Sequence, residues 1–142
     1  MKSPDIKIIG SKKFINQTIK ALNLIKRKSP RDFKKISKYL KKIKLAKSSG
    51  MILDKAQFDV GKPTAFHSVE WYACCIIHDT HHYYLHNIKK FLWKSKNYKK
   101  HEELCIKEQI RFLKKIKAPK NLIEHSTKII KAKYWLKKKR WW

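Results

Sequence analysis

Several features that would assign a protein quickly are missing from this chain. Its 142 residues hold only three cysteines, two of them adjacent, which is a poor disulfide framework and suits a reducing compartment. No run approaches the ~20 apolar residues of a membrane span, so no transmembrane segment is expected. The opening MKSPDIKIIG carries Pro4 and Asp5 and no long apolar stretch, which argues against a signal peptide and leads to the expectation of a cytoplasmic protein. No internal repeat and no long linker divides the chain, so a single domain over 1–142 is predicted, with 136–142 as a basic aromatic tail.

Acidic residues are also scarce: ten Asp and Glu stand against 37 Lys and Arg, giving a formal charge of +27. A balance of that kind draws polyanions, either nucleic acid or an acidic membrane surface. Arginine is the second scarcity, with only Arg27, Arg31, Arg111 and Arg140. Readers of bases and phosphates lean on arginine's rigid fork, and here lysines are spread over every segment instead. The expectation is non-specific, salt-sensitive polyanion binding, with a non-catalytic basic helical protein as the alternative reading of the whole chain.

What is present reads mostly as helix. Ile6–Ile9 is a short strand ended by Gly10. Ser11 is an N-cap for a helix over Lys12–Arg27, with Phe14, Ile15, Ile19, Leu22 and Ile25 at helical spacing. Ser29-Pro30 opens a second helix with the stripe Phe33, Ile36, Leu40 and Ile43, closed by Ser48-Ser49-Gly50. Met51–Val60 reads as one extended segment. Ser68 can cap a central helix ending near Asn87; further helices are predicted over about Asn97–Lys117 and Leu122–Trp135. The fold class is α+β and predominantly helical, with a short sheet.

The chemistry concentrates in Trp71–His86, WYACCIIHDTHHYYLH, which holds four of the seven histidines. On a helix, His78 and His82 lie one turn apart on one side, and Asp79 follows about 100° round. His78-Asp79-Thr80-His81-His82 is H-D-x-x-H, one methylene short of H-E-x-x-H, in which two histidines bind zinc and the acid activates water. A third protein ligand is needed. On the helix from Asn97, the residues Cys105, Ile106, Ile110, Phe112, Leu113 and Ile116 define an apolar face. Glu102 falls near its centre with Gln109 beside it, Glu103 lies at the edge, and Glu108 points away. A carboxylate in a buried face is costly unless paired or metal-bound, which makes Glu102 the candidate ligand and Glu103 the reserve. Cys74, Cys75 and Cys105 read as small core residues.

The order of strand, two helices, extended segment, H-D-x-x-H helix and glutamate-bearing helix resembles the minimal zincin-type metallopeptidases with a glutamate third ligand. SVEWYACCIIHDTHH and EELCIKEQIRFLKKI are similar to small members of that group. The resemblance implies Zn2+ held by His78, His82 and Glu102, Asp79 as general base, and hydrolysis of a peptide or protein substrate lying along Met51–Val60 as an edge strand. It also implies an oxyanion-supporting tyrosine or histidine, for which Tyr134, His125 and Tyr83 are available. CIIHDTHH resembles the HD-type phosphohydrolases too. Those enzymes need an earlier histidine, for which only His67 offers, and a later aspartate; none follows Asp79.

Overall fold

A computed structural model of the chain describes residues 5–131. The polypeptide runs as β1 (Lys7–Ile9), α1 (Lys12–Lys28), α2 (Pro30–Tyr39), β2 (Lys42–Leu45), β3 (Gly50–Ile52), β4 (Gln57–Val60), the short α3 (Lys62–Ala65), α4 (Val69–Tyr83), α5 (Tyr98–Lys115) and α6 (Lys120–Lys131). This is a predominantly helical α+β domain with a small four-stranded sheet, as the sequence predicts. The expected tail at 136–142, Tyr134 and Trp135 lie outside the described residues.

The sheet order is β1-β2-β4-β3. β1, β2 and β4 are parallel, and β3 closes the edge antiparallel to β4. Ile8, Ile43, Phe58 and Met51 share one register row and pack with the helices in the core. The flanking rows carry Lys7, Lys42 and Lys44 on the opposite face. One face is thus apolar, and the other mixes these lysines with Ile9, Ile52, Gln57 and Asp59.

Two predicted boundaries are corrected. The second helix stops at Tyr39: Leu40 turns extended (φ −83°, ψ 127°), and Ile43 belongs to β2, not to a helical stripe. Met51–Val60 is not one strand but the two arms of a hairpin. Only the first arm lies at the sheet edge, and Gln57–Val60 is flanked on both sides. The expected substrate strand therefore reduces to Gly50–Ile52.

Helix starts follow the predicted caps. The Ser11 hydroxyl accepts from Phe14 N–H at 3.2 Å, and the Ser68 hydroxyl accepts from Trp71 N–H at 3.0 Å. Ser29 precedes Pro30 but uses its hydroxyl to donate to Asp32 Oδ2 at 2.5 Å. Asp32 in turn accepts from Arg111 Nη2 at 2.7 Å, which ties α2 to α5. Every residue from Trp71 to Thr80 is buried. A helix buried all round sits at the centre of its domain, and α4 touches α1, α2, α3, α5, β3 and β4. Polar residues on such a helix face other protein, and α5 is the neighbour that matters.

Candidate metal centre

α4 presents His78 and His82 to α5, with ring centroids 5.0 Å apart. α5 answers with Glu102, which is 1% exposed despite its place near the helix start. Its Oε2 lies 3.3 Å from His78 Nε2, and its Oε1 contacts His82 Nε2 directly. Glu103, the reserve candidate, is half-buried; the inward position is that of Glu102. Burial works to raise the Glu102 carboxyl; imidazolium charge on His82 and His78 and donation from their Nε2 atoms would outweigh that and hold it well below the usual carboxylate range.

The outer nitrogens of both rings are committed elsewhere. Ser126 Oγ donates to Leu122 O at 2.9 Å, so it accepts from Gln109 Nε2 at 2.8 Å. That orients Gln109 with Oε1 facing His78 Nδ1 at 2.7 Å, and His78 Nδ1 must carry the proton. The second ring is fixed in the same way. The Phe91 carbonyl can only accept, so His101 Nε2 donates to it at 2.9 Å. Burial and the neighbouring His82 push the His101 imidazole down to about 4, so at neutral pH its Nδ1 is a bare acceptor. His82 Nδ1, 2.7 Å away, is therefore the donor. The two rings are within 11° of coplanar, as an in-plane hydrogen bond requires.

In their neutral forms, then, both histidines turn Nε2 lone pairs toward one carboxylate. One proton on His82 would pair it with Glu102 but leave His78 Nε2 repelled by Oε2. Two protons would set two buried imidazolium charges against Glu102 and the buried Asp79 carboxylate, a four-charge cluster away from water. A cation at the focus satisfies all three groups. Two tetrahedral zinc ligands at ~2.0 Å from the ion stand about 3.3 Å apart, close to the His78–Glu102 separation, whereas His82 Nε2 and Glu102 Oε1 touch and would have to part to admit an ion.

No protein-family model, curated protein or solved structure matches this chain. The centre is read from its own geometry alone.

Cys105 completes the group. One ligand atom from each of His78, His82 and Cys105 lies within 4.8 Å of the others, an arrangement able to hold a metal ion. The cysteine sits one turn after Glu102 on the same face of α5. The sequence reading treated it as core, which its complete burial bears out, but it also borders the site. Burial raises the Cys105 thiol far above its ordinary value, and Glu102 and Asp79 add to that. Only a metal would make it a thiolate here.

Asp79 is 2% exposed. Its charge adds to the elevation of the Cys105 thiol. His81 Nδ1 meets Lys35 Nζ at 2.7 Å. Burial and the Lys35 ammonium push that imidazole down to about 3. The oxyanion candidates are dispersed. His125 packs on Trp71 (4.8 Å between centroids), and Tyr83 lies against Tyr39 (6.0 Å). His67, the extra ligand that an HD-type reading would need, stacks near His125 at 6.3 Å, beside Trp71. Gln109 and His101, which fix the two tautomers, were not singled out as site residues from the sequence. Gln109 lies beside Glu102 on the helix wheel, and that adjacency is the signal the sequence offers.

Proposed function

We propose that the protein is a zinc-dependent hydrolase, with zinc held by His78, His82 and Glu102 and peptide bonds as the substrate class. The observation that carries the metal is the convergence of two Nε2 atoms on Glu102 while both Nδ1 atoms are tied to Gln109 and His101. Two histidines and a carboxylate form a catalytic zinc set, and zinc in such a set supplies a water of lowered pKa and polarises a carbonyl. Each residue has a role in this reading. Gln109 and His101 keep the imidazoles in the binding tautomer, Glu102 contributes negative charge, and Asp79 takes up the proton from the attacking water. The peptide substrate and the role of Asp79 come from the resemblance of H-D-x-x-H to the zincin motif.

A second reading is favoured by Cys105. Cys105 groups with His78 and His82, and Glu102 contacts both rings, so the four together would make a closed set of the structural kind. The two readings separate in one experiment. Metal-stripped protein is titrated with zinc and incubated with a mixture of peptides, with cleavage followed by mass spectrometry. Zinc-dependent cleavage that disappears in Asp79→Asn, with zinc binding retained, supports the hydrolase. Tight zinc binding with no cleavage leaves the structural site, and no zinc binding removes both.

A further inference from the structure

We propose that the strap 88–96 is a membrane-surface contact that seats Ile88 and Leu92 in an anionic phospholipid interface. Between α4 and α5 the chain forms a π-turn over Tyr84–Ile88, then a loop that reverses at Lys90, a non-glycine residue at φ 58°. Inward, this strap is well anchored. Phe91 N–H donates to Leu85 O at 2.9 Å, Trp93 N–H to His86 Nδ1 at 2.9 Å, and Asn97 Nδ2 to Leu92 O at 2.8 Å. Trp93 lies edge-on to His82 at 4.9 Å.

Outward, it presents what a folded domain normally hides. Ile88 is 47% and Leu92 40% exposed, two of the four large apolar side chains so exposed among the described residues. Around them Lys89, Lys90, Lys94 and Lys96 are all exposed. The segment 80–101 itself carries no acidic residue; the nearby turn, whose Leu53 carbonyl accepts from Asn87 Nδ2 at 3.0 Å, carries Asp54. Two exposed apolar side chains on an anchored strap, interleaved along the chain with exposed lysines, complement an interface of acyl chains below negatively charged headgroups. Lysine suits that partner, since a lipid surface asks for point charge and not for the bidentate fork that base reading uses. No helix among the described residues is long and apolar enough to cross a membrane, so the attachment is peripheral. It does not depend on the metal centre.

The test is co-sedimentation with phosphatidylcholine vesicles, with and without about a third phosphatidylserine. Wild type is expected to bind the anionic vesicles only. The exposed pair Ile88→Ser/Leu92→Ser, unchanged in net charge, should bind roughly tenfold more weakly. Lys89→Glu/Lys94→Glu should lose more than tenfold, at roughly fivefold per lysine removed. Lys12→Glu/Lys13→Glu on α1, with the same charge change, should lose much less. Equal losses for the two charge variants, or full binding by the serine pair, would mean bulk charge alone and overturn the proposal. Indifference of wild type to the vesicles would overturn it as well. So would binding to a DNA duplex that falls with the serine pair as steeply as vesicle binding. Metal content, the same in every variant, keeps this outcome apart from the zinc reading.

Discussion

Replacing Gln109 with Leu removes the acceptor that holds the proton on His78 Nδ1, while Glu102 and both histidines stay in place. The expected result is a zinc affinity lower by about 10–100-fold, measured by competition with a chromophoric chelator. Gln109→Glu, which keeps an acceptor at the same reach, should restore most of it; equal affinities in all three proteins would show that the tautomer is set by something else. A second effect at this scale concerns protons. His81, half-buried, and His101, buried, are neutral, with pKa values pushed down to about 3 and about 4 from an ordinary 6.5. Between those limits the unfolded chain binds more protons than the folded one, so stability rises with pH through that window. It is lost as pH falls from 6.5 toward 4, and urea midpoints taken across the window should fall toward acid. Protonation of metal ligands acts in the same direction. The candidate histidine pair was legible in the sequence because helical spacing is rigid, and Glu102 because a carboxylate on an apolar face needs a reason. The tautomer lock was not legible, since it runs through Ser126 on α6 and the Phe91 carbonyl on a loop.

Elements are legible where a cap or an apolar stripe marks them: both in α1, the Ser68 cap in α4, and the apolar face in α5. They were misread where a short strand mimics a helix. Ile36, Leu40 and Ile43 are spaced four and three, so β2 falls in step with the helical stripe before it, and its four residues are too few to show their own alternation. The β3–β4 hairpin was hidden for a different reason. Its turn is LDKA, with no glycine or asparagine, and Ala56 takes the left-handed position at φ 51°. Gly10 is a position where the fold has no room for a side chain. A Cβ there would stand 2.5 Å from the buried Phe14 ring and 3.0 Å from Leu45 Cβ. Gly10→Ala should therefore destabilise the domain by about 1–3 kcal/mol in urea unfolding, since ring and strand both have to shift. An unchanged midpoint would show that the β1–α1 junction is looser than its packing implies.

Across the whole molecule, a charge of +27 repels itself, and the few acids are used locally, as Asp32 and Glu108 are on Arg111. Raising ionic strength shortens the range of that repulsion, so the melting temperature should climb between low and physiological salt. A flat or falling trend would mean that local ion pairs outweigh the global field. Against this basic surface the interior is apolar apart from a few polar groups, and the densest of them joins α4 to α5 through His78, His82, Glu102 and Gln109. The account stands on that junction holding a metal ion. The most direct measurement is the zinc content of protein dialysed against trace zinc, for wild type beside His78→Ala, His82→Ala and Glu102→Gln. The account predicts close to one zinc per wild-type chain and little in each variant; equally low zinc in all four proteins would contradict it.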